Sequence, residues 1–490
     1  MKLRQLLGCA WLAFAAVSAS AQDAKAVIAN ASKAMGLDGL NSLYYYGSAK
    51  TFSIGQNNNA NQPWPQTPAN DYVRAIDFTV PASRATWRTY AQPVTGGPAT
   101  LQNGQQNITP TSPGGWSNQL EIWTTPWGFL KGAAANNATV QAQTVNGKRV
   151  QVITWIAPVK SPGGKDYKMV GTINSDGLVE KVTTWVEQNV FGDQQVDTSY
   201  NYYRDNNGLK YPTEIVQVRG GWPTFTAQIL AAWANPPKLA EMMAVPPPPA
   251  GAPGAGGPPP GGAPPTTPSE KLADGVYRIH SAYNSLAVEF SDNVLLIEPG
   301  PQSEARTLAG IAEVHRLFPG KPIKYGVITH HHFDHTGGLE AAIAEGITIV
   351  TPEVNKAFLE KVFSGPRTLA PDALAKSGKK PVIEGFKGDK RVFQDATRTV
   401  EIHVIKGLPH ADGLVVAWLP KEKILVYADM FNLPTAAEPV PNPQIIGTRV
   451  FYENIQRLKL DPEKILSIHN LNPDRLATLQ DIKSSLGITN

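Results

Sequence analysis

The 490-residue chain predicts an α+β protein in two parts, a mainly antiparallel β domain followed by a layered αβ domain with sheet at its centre. Three observations carry this. Alternating apolar runs joined by Asn-Gly and Asp-Gly turns fill the first half. Strand and helix patterns alternate in the second. Between them "PPPPAGAPGAGGPPPGGAPPTTP", 246–268, is almost entirely Pro, Gly and Ala; it cannot build a core and reads as a semi-rigid spacer. The flanking segments, 22–245 and 269–490, are each long enough for an independent core.

The chain begins with Lys2 and Arg4, an apolar run "LLGCAWLAFAAVSA", and a small-residue site at Ala19-Ser20-Ala21. Residues 1–21 therefore read as a signal peptide cleaved after Ala21, and the protein as periplasmic or secreted. The apolar run is too short for a comfortable membrane span, so no transmembrane anchor is expected. Cys9, the only cysteine, lies inside this segment. The mature chain then has no thiol, and a bound metal must be held by nitrogen and oxygen. Formal net charge is +4, or +2 once Lys2 and Arg4 are removed, which supplies no electrostatic case for nucleic acid.

In the first part, "DAKAVIANASKAMG" has helical spacing and a stop at Gly36. Three hairpins follow, about Asn146-Gly147, Asp176-Gly177 and Asn206–Gly208, and imply a meander. A helix before such a sheet resembles the half-barrel lipoprotein carriers in architecture. Nine tryptophans, from Trp64 to Trp233, fall here; we read them as the covered face of a curved sheet rather than a ligand surface. In the second part, strands are predicted at 276–280, 285–290 and 294–298, then a helix over "SEARTLAGIAEVHRLF" and a buried strand "KYGVITH". Helix "GGLEAAIAEG", strand "ITIVTP" and helix "EVNKAFLEKVF" come next. Strands "TVEIHVIKG", "GLVVAWLP" and "KILVYADM" precede closing helices at "YENIQRLK" and "DRLATLQDIKSSLG".

The chemistry concentrates in "ITHHHFDHTGG". The chain has nine histidines, none before His280, and four lie in this stretch. In extended backbone alternate side chains point the same way, so His330 and His332 can face one point. Asp334 and His335 fall where the chain turns into a helix and can face a neighbouring one. Placing such groups at the end of a buried strand costs desolvation unless they bind something, and a metal is the economical occupant. An open catalytic metal site needs about three protein ligands. His410, Asp429 and His469 each sit at a strand edge downstream and can supply the rest. His331 alternates away and is expected to point from the metal; His403, His280 and His315 read as ordinary structural residues. Tyr283 and Asn284, in a loop before the second strand, could touch substrate, but a structural turn is the favoured reading. The histidine-free first part is expected to contribute no metal chemistry.

"THHHFDHTGG" with His410, Asp429 and His469 in that order resembles the metallo-β-lactamase superfamily, over roughly Gly275 to the C-terminus. The resemblance implies an αββα sandwich with two metals at one edge, most simply two Zn²⁺ per chain, with Fe or Mn as alternatives. It implies that His330, His332 and His410 bind the first metal, that Asp334, His335 and His469 bind the second, and that Asp429 bridges them. It implies a hydrolase in which a metal-bridging hydroxide, oriented by Asp334 as the catalytic residue, cleaves an ester, lactone, sulfate ester or amide of a small-molecule substrate. Two departures stand out: Glu298 replaces the usual Asp, and Asn470 the frequent Gly. The alternatives are a β-lactamase proper, which Asp429 disfavours, a mononuclear-iron oxygen- or sulfur-handling enzyme, and a non-catalytic envelope binding protein. Oligomeric state is not legible.

Overall fold

The computed structural model describes residues 24–91, 99–110, 115–145, 147–245, 267–434, 440–442 and 445–488. The expected signal segment with Cys9, the turn residue Asn146 and the spacer up to residue 266 lie outside these residues. No helix among the described residues is long and apolar enough to cross a membrane.

The N-terminal region is one eleven-stranded sheet in which every neighbouring pair is antiparallel. A meander runs from Thr139–Val145 to Trp222–Ala234. Trp222–Ala234 then pairs with Ser42–Phe52, and the sheet continues outward to Thr100–Ile108. Strands such as Asp166–Ile173 alternate buried and exposed positions, so one face is apolar and needs a cover. The helices Ala24–Met35 and Pro126–Ala135 supply it, packing Ile28, Met35, Trp127 and Phe129 against Leu43, Ile153, Trp155 and Met169. Trp64, Trp116, Trp127 and Trp155 are buried, in keeping with a structural role, whereas Trp233 is 39% exposed and stacks on Tyr46. The turn at Asn207-Gly208 takes positive φ at both residues (52° and 85°) with Asn206 facing Leu209, the mirror-image turn that Asn-Gly favours.

The C-terminal region holds two sheets. The seven-stranded sheet runs Ser269–Ala273, Val276–Ile279, Ser285–Glu289, Val294–Ile297, Ile323–Val327, Thr348–Pro352 and Ile383–Phe386, antiparallel up to Val294–Ile297 and parallel beyond. The five-stranded sheet runs Lys390–Gln394, Thr399–Val404, Val415–Leu419, Ile424–Tyr427 and Lys464–Ser467. Continuous apolar strands such as "VLLI" and "VVAWL" are buried along their whole length because both faces are covered. One apolar cluster joins Leu286, Leu295 and Val327 of the first sheet to Ile402, Val415 and Val426 of the second. A second cluster puts the helices Glu304–Leu317, Leu339–Glu345 and Glu353–Phe363 on the first sheet's other face. A third puts Ile446–Arg457 and Leu479–Leu486 on the second's.

Boundaries differ from expectation in instructive places. The helix expected at Tyr452 begins at Ile446, because Thr448, Val450 and Phe451 already face the core. The last helix begins at Leu479 rather than Asp474, where Thr478 and Asp481 form a reciprocal capping box. The strands Ile383–Phe386 and Lys390–Gln394 are too short and polar to announce themselves.

The two regions pack on each other. Arg367 donates from Nη1 and Nη2 to the carbonyls of Asn189 and Val190, each at 2.7 Å. Asp193 accepts from the backbone N–H of Thr368 and Leu369, each at 2.8 Å. Ala60, Val190 and Phe191 of the first region join the apolar cluster of the C-terminal helices.

Candidate metal centre

Strand ends place the seven expected residues. His330–His332 leave the strand Ile323–Val327, and His332 caps a short helix, Phe333–Thr336, that carries Asp334 and His335 in its one turn. His410 lies between Thr399–Val404 and Val415–Leu419, Asp429 follows Ile424–Tyr427, and His469 follows Lys464–Ser467. All converge. Three groups of donor atoms lie close enough to hold a metal ion: His330, His332 and His410; His330, His335 and Asp429; Asp334, His335 and His469. His330 also groups with His335 and Asp429, so the two halves adjoin at Asp429.

Asp429 is the hub. Its Oδ2 stands 3.0 Å from His335 Nε2, 3.6 Å from His330 Nε2 and 3.8 Å from His410 Nε2, and its Oδ1 stands 3.0 Å from His469 Nε2. Oδ2 is buried and makes no well-formed hydrogen bond. The ring nitrogens face each other in pairs, His410 with His330 at 3.3 Å and His469 with His335 at 3.2 Å. An unpaired buried carboxylate oxygen ringed by imidazole nitrogens fits a cation. Asp429 and Glu298 both sit at positive φ (58° and 61°), a left-handed conformation that costs a side-chain-bearing residue about 1–3 kcal/mol and collects at functional sites.

A second layer orients the donors. Glu298 is fully buried; its Oε2 accepts from the Thr329 hydroxyl at 2.7 Å, and its Oε1 lies 3.3 Å from His335 Nδ1. The longer carboxylate thus reaches His335 from the strand end and leaves Nε2 turned inward to Asp429. Asn470 ties the His469 loop to the Ser281 carbonyl at 2.8 Å. Tyr283, expected to be a structural turn residue, is at the centre instead. Its hydroxyl donates to Asp334 Oδ2 at 2.9 Å and its ring lies 4.3 Å from that of His469. Asn284 is structural, donating from Nδ2 to the Ser467 carbonyl. His331 is fully buried and absent from all three donor groups. His280 and His315 lie 3.3 Å from Glu270 and 2.9 Å from Glu345, and His403 lies 2.9 Å from Glu401.

Among the described residues none before His280 belongs to a donor group, yet the first region does reach the centre. Gln56 donates from Nε2 to Asp334 Oδ1 at 2.8 Å, and the Asn57 carbonyl accepts from Nε2 of His331 and His332 at 2.8 and 3.1 Å. These residues lie in "GQNNNANQPW", a polar loop between two strands whose one unusual trait is its density of amides.

Electrostatics divide the cluster. Burial, with the neighbouring histidines adding to it, holds His330 far below the ordinary imidazole range and His332 at about 3; burial also lowers His410. Burial acts the same way on His335, but the carboxylates of Glu298 and Asp429 outweigh it and raise that group to about 10. The signs of linkage are opposite. His332 contributes stability above its ordinary value of 6.5 that is lost as pH falls toward 3. His335 contributes stability below 6.5 that is lost as pH rises through about 10. Chelator-treated protein is therefore expected to lose stability on both sides of a broad optimum. Loading with Zn²⁺ should protect the acid limb and release protons. Urea midpoints from pH 4 to 10, with and without Zn²⁺, check this; an acid limb unmoved by Zn²⁺ would contradict it.

Residues 280–466 match the family model of the metallo-beta-lactamase superfamily. None of the curated proteins matches the chain. Among solved structures, the metallo-beta-lactamase from Pontibacter korlensis is 20% identical with a TM-score of 0.33, over 46% of this chain and 98% of its own. The DIM-1 metallo-beta-lactamase is 19% identical with a TM-score of 0.33, over 46% of this chain and 97% of its own. The donor order, the geometry around Asp429 and the family match agree: the C-terminal region of this chain, over residues 280–466, belongs to the metallo-beta-lactamase superfamily.

Proposed function

We propose that the chain is an exported metal-dependent hydrolase with a two-metal centre in an αββα layered region, acting on an ester, lactone, sulfate ester or amide of a small molecule. One observation carries it: three donor groups overlap through His330 and His335 and bring seven donors together, more than a single ion needs. His330, His332 and His410 would hold one ion and Asp334, His335 and His469 the other, with Asp429 between them. Bound divalent ions supply Lewis-acid polarisation and make water acidic enough to attack at neutral pH. The chain's own contribution is orientation. Tyr283 keeps its proton, because burial and the Asp334 charge push that group well above the ordinary phenol range, so its hydroxyl remains a donor to Asp334. Asp334, held from Oδ1 and Oδ2 by separate donors, is fixed in direction and stays ionised, because His335 and these two bonds outweigh its burial. The export reading is supported by the basic start and apolar run of residues 1–21.

Protein purified without chelator is expected to carry two transition-metal ions per chain and to turn over part of a chromogenic ester, lactone and sulfate-ester panel. Chelation should abolish turnover and Zn²⁺ restore it. Fewer than one ion per chain, with no activity restored by Zn²⁺, would sink the proposal.

A further inference from the structure

The loop of residues 55–65 joins the strands Ser42–Phe52 and Gln66–Asp77 of the N-terminal sheet and lies against the histidine cluster. Its placement is determined by both regions. Phe333 donates its backbone N–H to the Gly55 carbonyl at 3.2 Å. Gly55 has φ +80°, and a Cβ there would meet the Phe333 ring at 2.2 Å, so the loop backbone lies flat on that ring. Phe333 also meets Trp64 and Phe191 edge-on, with ring centroids 5.9 and 5.5 Å away. Asn59 Nδ2 donates to Asp412 Oδ2 at 2.9 Å, and the Asp412 N–H returns a bond to the Asn58 carbonyl at 2.5 Å. The Asn57 side chain, 1% exposed, donates to the carbonyls of Asn59 and Gln62 at 2.6 and 2.9 Å and so locks the turn internally.

Two contacts from this loop bear on the donors themselves. The Asn57 carbonyl can only accept. Its two imidazole partners must therefore carry their protons on Nε2, which leaves the Nδ1 lone pair of His332 free to ligate. Gln56 Nε2 binds Asp334 Oδ1 while Tyr283 binds Oδ2, so the carboxylate is gripped from two sides as Oδ2 stands 3.4 Å from His335 Nε2. We propose that Gln56 and Asn57 are positioning residues of the metal centre, Gln56 setting the direction of Asp334 and the Asn57 carbonyl setting the tautomer of His332, so that the N-terminal sheet completes a centre whose ligands all lie in the C-terminal region. This rests on the two-metal reading above.

The test uses the full-length protein and Co²⁺ as the probe, whose visible spectrum reports coordination geometry. The binding event abolished by His335→Ala marks the Asp334-containing half. In Gln56→Ala that event is expected to weaken about 10–100-fold, the usual effect of losing an outer partner of a ligand, with an altered Co²⁺ spectrum. The other event and the thermal midpoint of the metal-free protein should be unchanged. Gln56→Glu should weaken it further by setting a carboxylate against Asp334. Nitrogen-15 spectra of histidine-labelled protein should show His332 as the Nε2–H tautomer before loading and ligated through Nδ1 after it. Equal weakening of both events with a lowered midpoint would reduce Gln56 to a structural role and overturn the proposal, as would unchanged binding or ligation of His332 through Nε2. Wild-type protein binding fewer than two Co²⁺ would overturn the two-metal reading and this inference with it, whereas two Co²⁺ bound with the same affinities by wild type and Gln56→Ala would overturn the inference alone.

Discussion

Replacing Asp429 by alanine is expected to empty both halves of the centre together and to reduce hydrolysis to background. Among the described residues no other side chain places a carboxylate near so many donors, with His335, His330 and His410 around Oδ2 and His469 beside Oδ1. In the proposed two-metal centre its oxygens would supply the negative charge that offsets two closely spaced cations, and its loss leaves imidazoles facing imidazoles. Stability of the metal-free protein should fall as well. His335 is held as a buried cation partly by Asp429, and removing one member of a buried pair typically costs about 3–5 kcal/mol. The lower end is expected, because Glu298 still faces His335 Nδ1 at 3.3 Å. Asp429→Asn separates charge from shape: asparagine tolerates the positive φ of 58°, so backbone strain is unchanged while the charge is gone. Both variants should therefore lose metal alike by elemental analysis, and retention of two ions by either would contradict the hub role.

How much of this was legible beforehand depends on whether a residue's role is local in sequence. His330, His332, Asp334 and His335 were readable because a strand end and the following turn fix where side chains at that spacing point. His410, Asp429 and His469 were readable as isolated donors at strand edges, a setting that sheet scaffolds use repeatedly. The hairpins were readable because Asn-Gly at positive φ is a local preference, realised at Asn207-Gly208. What escaped is long-range. Gln56 meets Asp334 across 278 positions, and nothing in an amide-rich loop states which partner it will find. Tyr283 read as a turn residue because it lies in the loop before a strand; the antiparallel bridge between Tyr283 and His469 brings it to the centre. Glu298 looked like a departure because its reach was judged by side-chain length alone, whereas its positive φ redirects the carboxylate to Thr329 and His335. The mixed membership of His330 in two donor groups is likewise a matter of three dimensions, since alternation specifies a side of the strand and not a distance.

The pair His332→Ala and His331→Ala should separate ligand from scaffold within two adjacent residues. His332 groups with His330 and His410, and its Nδ1 is the free donor atom once Nε2–H is spent on the Asn57 carbonyl. Removing it leaves two imidazoles for the first ion, fewer than an open catalytic site ordinarily uses. His332→Ala is thus expected to lose about one ion per chain and about 10²–10³-fold in turnover, the scale of one missing electrostatic stabiliser. His331 is just as buried, and its nearer bond to the same carbonyl, at 2.8 Å, shows it serving the loop rather than the metal. His331→Ala should keep both ions. It should cost about 0.5–1.5 kcal/mol for the lost hydrogen bond, plus the penalty of the cavity left behind. The Asn57 carbonyl retains His332 as a donor in that variant, so the tautomer that frees Nδ1 should survive and metal affinity with it. Elemental analysis and urea unfolding of the two variants separate the roles if this assignment holds: metal lost for His332→Ala, metal retained with some stability lost for His331→Ala. The reverse pattern would make His331 the ligand and would require the strand to leave Val327 in the opposite register, with His330 also turned away from Asp429.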